Sequence, residues 1–183
     1  MAEKAKMLEG AGDYHGFGKA LGYPDCCVDF FVKNRPIEVL RRNDYVEPAL
    51  NNSKGMEFPF CNNIFGRYFD HALMSHAPCS FNCAKSRELA KRYLKAIRAT
   101  DREYAEYLEA YLKCLVIFAG DSVHLLRGNL VDRDFLYADF SSNKNDRVSE
   151  FLGKYKYVTI LDRDHFLIGK EGFNYPVLHF SDL

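Results

Sequence analysis

No stretch of this 183-residue chain is apolar over the roughly 20 residues that a membrane-spanning helix needs. Residues 1–10 also lack the apolar run of a signal peptide. The chain has no excess charge, because 25 basic residues balance 25 acidic ones, so no overall field attracts nucleic acid, membranes or acidic substrates. Together these absences favour a protein of the reducing cytoplasm.

The hydrophobic pattern changes once along the chain, and the change predicts an α+β fold. Apolar residues recur at helical spacing up to Lys113, and short runs rich in β-branched and aromatic residues follow from Cys114 onward. We therefore expect a helical region at 1–113 that carries the cysteine motifs, and an antiparallel β-sheet at 114–183 packed on it. The two parts are expected to form one compact unit, since the chain is long enough to bury a sizeable core.

Several helices are expected in the first region. Their predicted positions are residues 2–21, 24–34 with Pro36 as the stop, 37–42, 64–76, and a long helix after Pro78 that restarts near Thr100-Asp101-Arg102-Glu103. The polar segment 43–55 is expected to be a loop, long enough to act as a lid or a connector.

The second region predicts six strands with turns between most of them. The strands are expected at 115–119, 123–126, 135–140, 157–161, 166–168 and 177–180, with turns at 119–122, 127–129, 162–164 and 169–172. A short helix is expected around residues 147–152.

The strongest functional signal is a pair of cysteines, Cys79 and Cys83, that follows Pro78. Proline favours the first position of a helix, so both cysteines are expected in the opening turns of the long helix. Residues four apart on a helix share one face, which would place the two thiols side by side. The free N–H groups and the positive dipole end of a helix stabilise thiolates, the form that binds metals or attacks substrates.

A second proline and cysteine pattern occurs earlier, where Pro24 precedes Cys26 and Cys27 at another predicted helix start. Adjacent residues point about 100° apart around a helix, so only one of these two cysteines is expected to reach a given ion. Two helix N-termini would then contribute Cys79, Cys83 and one of Cys26 or Cys27.

This arrangement predicts a metal site with three cysteine ligands and a fourth position for His76, Cys61, water or a substrate. Thiolates suit both zinc and iron–sulfur clusters. The leading hypothesis is an iron–sulfur cluster of the 4Fe–4S type, serving electron transfer or cluster-dependent chemistry, because the Cys-x2-Cys pairs usual in structural zinc sites are absent. One alternative is a structural zinc module that binds RNA or a protein partner. Another is an enzyme that uses a low-pKa cysteine without a metal.

A basic stripe on the long helix offers a possible RNA contact. It comprises Lys91, Arg92, Lys95, Arg98 and Arg102. The competing interpretation is an ordinary solvated face, because Glu88 and Glu106 lie four residues from Arg92 and Arg102 and can neutralise them.

Two motifs together resemble a known family. They are Gly22-Tyr23-Pro24-x-Cys26-Cys27-x-x-Phe30-Phe31 and His76-x-Pro78-Cys79-Ser80-x-x-Cys83-x-x-Ser86. Both are similar to the signature of a mainly archaeal family known as domain of unknown function 483. The resemblance implies a prokaryotic, cytoplasmic source and implies that the two motifs act together, but it implies no particular activity.

Overall fold

A computed structural model of the chain describes residues 2–38 and 45–182. The described helices lie mostly in the first half of the chain. They are α1 (Ala2–Gly10), α2 (Tyr14–Ala20), α3 (Asp25–Glu38), α4 (Val46–Asn51), α5 (Ala84–Thr100), α6 (Arg102–Leu112) and α7 (Arg147–Lys154). The described strands are β1 (Glu57–Pro59), β2 (Leu115–Ala119), β3 (Ser122–Val131), β4 (Asp134–Ser142), β5 (Tyr157–Ile160), β6 (Phe166–Ile168), β7 (Glu171–Phe173) and β8 (Val177–Ser181).

The strands form one sheet in the order β1-β8-β2-β3-β4-β5-β6-β7. Strands β2 to β7 pair antiparallel with their sequence neighbours, and β8 returns to pair antiparallel with β2. The short strand β1 extends the sheet from within the helical region and runs parallel to β8. The predicted α+β fold is therefore confirmed, with the correction that one pair of strands is parallel.

The sheet separates two hydrophobic cores. Along β2, Val116 and Phe118 contribute to the core beneath the helices, whereas Leu115 and Ile117 contribute to the core on the opposite face. This alternation follows from the two-residue period of a strand. The second core is closed by α7 and the later strands of the same sheet. Strand β2 is therefore buried on both faces, which explains its continuous apolar sequence.

Asp101 divides the long helical segment into α5 and α6. Its backbone is extended, and its side chain accepts a hydrogen bond from the backbone N–H of Tyr104. The predicted restart is thus confirmed, although the capping residue is Asp101 rather than Thr100. The Thr100 hydroxyl instead donates to the carbonyl of Ile97 within the preceding turn.

Pro36 does not end α3, which continues to Glu38. Proline lacks one backbone N–H and so removes one intrahelical hydrogen bond, and α3 ends two residues after Pro36. Of the helix predicted at 37–42, the first two residues belong to α3, and residues 39–42 lie outside the described part of the chain.

The helix predicted at 64–76 is replaced by a short 3-10 helix, Phe65–Phe69, and an irregular segment. Gly66 explains the difference, because a Cβ atom there would lie 1.9 Å from the carbonyl oxygen of His71. The chain folds back on itself too tightly for a regular helix. The loop predicted at 43–55 is also only partly correct, since α4 occupies Val46–Asn51, and residues 43 and 44 are outside the described ranges.

Gly128 lies in β3, where a turn was expected, at the point where the register between β3 and β4 shifts. A Cβ atom at Gly128 would lie 1.9 Å from the carbonyl oxygen of Leu136 and 2.7 Å from the Cα of Tyr137. We expect Gly128→Ala to lower the free energy of unfolding by about 3 kcal/mol, because two strands must separate locally. Urea unfolding followed by circular dichroism measures this.

The matched control is Gly172→Ala in β7, where the nearest atom to a new Cβ is Leu167 Cδ2 at an ordinary 3.8 Å. We expect this variant to unfold near the wild-type urea concentration. Equal destabilisation by the two substitutions would contradict the close strand approach at Gly128.

Candidate metal centre

Four cysteines converge where the start of α3 meets the segment before α5. The group consists of Cys26, Cys27, Cys79 and Cys83, and is called here the four-cysteine group. Its sulfur atoms all lie within 4.8 Å of one another. Cys83 Sγ lies 3.7 Å from both Cys26 Sγ and Cys27 Sγ, and these two sulfurs are 4.0 Å apart. Cysteines from two distant parts of the chain thus form one potential metal site.

Helix α3 supplies Cys26 and Cys27 from its first turn, as the sequence predicts. The carbonyl of Pro24 accepts hydrogen bonds from the N–H groups of Cys27 and Val28, which fixes the start of the helix. The expectation that only one of the adjacent cysteines joins the group was wrong. Both side chains leave the first turn of α3, and both sulfurs lie 3.7 Å from Cys83 Sγ.

Cys79 and Cys83 belong to a loop, not to the opening turns of a helix as predicted. Helix α5 begins at Ala84, and Cys83 is its N-cap, with the sulfur accepting a hydrogen bond from the backbone N–H of Ser86. The N–H of Cys83 donates to the carbonyl of Ser80 at 3.0 Å and closes a turn. Residues 79–83 are called the cysteine loop below.

A buried amide holds the cysteine loop in this shape. Asn62 is fully buried, and its Nδ2 donates to the carbonyl oxygens of Phe81 and Cys83, each at 3.0 Å. The Cys83 carbonyl also accepts from the N–H of Arg87, so the amide links the loop to the first turn of α5. The contact explains why the segment does not continue as helix, since Asn62 binds the loop backbone in a non-helical form.

The polar segment 52–54, expected to be part of a lid or connector, is tied to the same loop. It makes three hydrogen bonds: Asn52 Nδ2 to the Cys79 carbonyl, Ser53 Oγ from the Phe81 N–H, and the Lys54 N–H to Asn82 Oδ1. Sequence reasoning missed these positioning residues. The available signal was the pair Asn62-Asn63, two amides in an otherwise apolar stretch, because buried amides are normally hydrogen-bonded.

Backbone N–H groups and neighbouring thiols stabilise negative charge on the sulfurs. The pKa of Cys83 lies far below its ordinary value, because Cys27 and Cys79 donate hydrogen bonds to its sulfur and the Ser86 N–H adds another. The pKa of Cys27 is raised by its hydrogen bonds with Cys79 and Cys83 and by burial. Without a cation only part of the group can ionise, since thiolates this close repel one another. A bound metal ion would remove that repulsion.

The other two predicted ligands, Cys61 and His76, lie outside the four-cysteine group. Cys61 is buried in the 3-10 helix Phe60–Asn62, where burial raises its pKa to about 11. His76 Nε2 lies 3.0 Å from Ser86 Oγ. Burial lowers the pKa of His76 to about 4, against a smaller opposing effect of Cys83. The structure therefore brings together the four motif cysteines and leaves these two residues beside them.

The predicted RNA-contacting residues are largely paired with carboxylates. Arg102 bonds Glu106 at 2.8 Å, as expected from their spacing, and Arg98 bonds Glu109 on α6. Glu88 pairs with Lys91 at 3.9 Å. Such pairs reduce the net positive field of the helix, so RNA contact through Lys91, Lys95, Arg98 and Arg102 stays a prediction.

None of the described helices is both long and apolar enough to cross a membrane. Comparisons with protein-family models, with curated proteins and with solved structures find no match for this chain.

Proposed function

We propose that the chain is a zinc protein in which the four-cysteine group binds one Zn²⁺ and joins α3 to the cysteine loop. The main support for this proposal is the set of distances between the sulfur atoms. Four thiolates bound tetrahedrally to zinc at about 2.3 Å are separated from one another by roughly 3.8 Å. The three sulfur separations at Cys83, Cys26 and Cys27 are 3.7, 3.7 and 4.0 Å.

The same spacing favours a single ion over the predicted iron–sulfur cluster. A cluster binds its cysteines through different irons, with bridging sulfides between them, so its ligand sulfurs are held farther apart than around one ion. A group whose sulfurs all lie within 4.8 Å leaves little room for such a core. The iron–sulfur hypothesis stays a prediction, and metal analysis can test it.

A structural role suits this donor set better than a catalytic one. Four cysteine ligands complete the tetrahedral shell of zinc, whereas catalytic zinc keeps one position for water or substrate. The thiol-enzyme alternative is also less favoured, because the low-pKa sulfur belongs to Cys83, which is only 8% exposed. A nucleophile needs access to its substrate.

Metal analysis of protein purified without oxygen tests the proposal. We expect one zinc per chain, no acid-labile sulfide and no absorption band near ~400 nm, where iron–sulfur clusters absorb. Serine substitution at any member of the four-cysteine group should abolish stoichiometric zinc. Cys61→Ala and Cys114→Ala are matched controls, because both cysteines are buried but lie outside the group, and both variants should keep the metal.

The other outcomes separate the alternatives. Iron with equimolar sulfide would replace the zinc proposal with an iron–sulfur cluster. Protein without metal, in which one thiol reacts rapidly with an alkylating reagent near neutral pH, would favour the thiol enzyme.

A further inference from the structure

The members of the four-cysteine group differ in their access to solvent. Cys26 and Cys79 are partly exposed, whereas Cys27 and Cys83 are only 2% and 8% exposed. Oxidation of cysteine depends on exposure and on thiolate character. A small dissolved oxidant therefore reaches this group first at Cys26 or at Cys79.

Of these two, Cys26 lies where the backbone favours the thiolate. It is in the first turn of α3, a helix of 14 residues, so the positive end of the helix dipole stabilises negative charge on its sulfur. Cys79 belongs instead to the cysteine loop, before α5 begins. Exposure and position together make Cys26 the thiol that we expect to react.

Cys83 is well placed to react with an oxidised Cys26. Their sulfurs are 3.7 Å apart, although 57 positions separate the two residues. A disulfide bond is about 2.05 Å long, so the sulfurs need to approach one another by less than about 2 Å. Burial of Cys83 is no obstacle, because it has to reach only the sulfur of Cys26 and not the dissolved oxidant.

The adjacent Cys27 is a poorer partner for Cys26, even though their sulfurs are 4.0 Å apart. Neighbouring Cα atoms are about 3.8 Å apart across a trans peptide bond. Disulfides usually join Cα atoms separated by about 4.4–6.8 Å. A bond between adjacent cysteines would thus require a distorted backbone, which favours Cys83 as the partner.

We propose that a hydroperoxide oxidises this protein at Cys26 and that Cys83 converts the product to a disulfide, with release of zinc. The proposal rests on the zinc function proposed above, since a cysteine that binds zinc is a thiolate. The Cys26 thiolate attacks one peroxide oxygen, the O–O bond breaks, and Cys26 becomes a sulfenic acid. The Cys83 thiolate then attacks the Cys26 sulfur and displaces its oxygen. The two thiolates lose two electrons, and hydrogen peroxide takes up two protons from solvent to give two molecules of water.

The disulfide would replace the metal as the link between α3 and the cysteine loop. It removes two of the four zinc ligands, and the two remaining thiolates cannot complete the tetrahedral shell of a structural site. The new bond still joins the same two segments, because Cys26 and Cys83 belong to different ones. Oxidised protein without zinc is therefore expected to stay folded around the site, unlike reduced protein without zinc.

Treatment of the zinc-containing protein with one equivalent of hydrogen peroxide tests this inference. We expect the loss of two thiols and the release of one zinc, measured with a chromophoric chelator. Peptide mass spectrometry of the wild-type protein, after alkylation of the remaining thiols, should identify the bond between Cys26 and Cys83. The oxidised, zinc-free form should unfold roughly 10 °C above the reduced, zinc-free form, and a phosphine reductant should abolish this difference.

Three variants identify the reacting thiols. In zinc-free protein, Cys79→Ser keeps Cys26 and Cys83 and should still form the disulfide. Cys83→Ser should stop at the sulfenic acid of Cys26, which dimedone traps. Cys61→Ala is the control, since Cys61 is 1% exposed and outside the group, and this variant should react like the wild-type protein.

Unchanged thiols after peroxide treatment, or a disulfide mapped to any other pair of cysteines, would overturn this inference. If zinc is bound and the thiols do not react, only this inference fails and the metal proposal stands. If the bond between Cys26 and Cys83 forms in protein that was purified without zinc, the oxidation site is supported and only the metal proposal fails.

Discussion

Removal of zinc is expected to unfold the helical part of the protein around the four-cysteine group. Cysteines 26 and 27 are separated from 79 and 83 by more than fifty residues, so the metal would close a long loop that spans most of the first half of the chain. Zinc bound by cysteines contributes about 10–16 kcal/mol in small zinc-finger peptides, comparable with the whole stability of an ordinary domain. Even a loss of about 5 kcal/mol would lower the midpoint of thermal unfolding by roughly 10–20 °C.

The measurement is thermal unfolding followed by circular dichroism, with and without a strong zinc chelator. Cys83→Ser should unfold at the same low temperature as the chelated wild-type protein, and the chelator should not lower it further. Cys61→Ala, which keeps all four ligands, should remain sensitive to the chelator. An unchanged midpoint for chelated wild-type protein, with zinc shown to be removed, would contradict a structural role for the metal.

The substitution Asn62→Asp is expected to disrupt the site without changing any cysteine. The new side chain would lack the Nδ2 donor, and its carboxylate would be buried against the carbonyl oxygens of Phe81 and Cys83. A buried charge without a partner destabilises proteins by about 3–5 kcal/mol. Zinc affinity should fall by about 10–100-fold, the usual effect of removing a residue that positions metal ligands.

Asn82→Asp is the matched control for this prediction. Asn82 is exposed, and its side chain contributes only an acceptor, Oδ1, to the Lys54 N–H, which a carboxylate can replace. Urea unfolding and competition with a chromophoric zinc chelator should show little change for this variant. If Asn62→Asp behaved like Asn82→Asp in both measurements, the buried amide would not be what holds the cysteine loop.

Features that depend on nearby residues could be predicted from the sequence. The break at Asp101, the helix Arg147–Lys154 and the strands β2 and β6 follow from local periodicity and from capping or turn residues within a few positions. The two proline and cysteine motifs could also be recognised locally. Their spacing and chemistry indicated a site at these motifs, but predicted only one of Cys26 and Cys27 in it, whereas the structure brings all four motif cysteines together.

Other features depend on contacts between residues far apart in the chain. Strand β1 is too short to be recognised alone, and it exists because its three residues pair with β8 more than one hundred positions later. A Cβ atom at Gly66 would also lie 2.8 Å from Leu112 Cδ2, a residue more than forty positions later, and no helical period reveals that contact. Local sequence patterns do not reveal such contacts, because neither partner has an unusual residue type or spacing within its own segment.

The candidate site also combines features that nearby residues determine with features that depend on distant contacts. Residue types and spacing were enough to predict the helix start after Pro24, which is a local effect, but Pro78 does not begin a helix and α5 starts only at Ala84. Which thiols converge, and how closely, depended on the way Asn62 and residues 52–54 hold the cysteine loop against the start of α3. The choice of a single ion over a cluster in the proposal rests on sulfur separations of 3.7 and 4.0 Å, and distances on that scale are fixed only when the whole chain is packed.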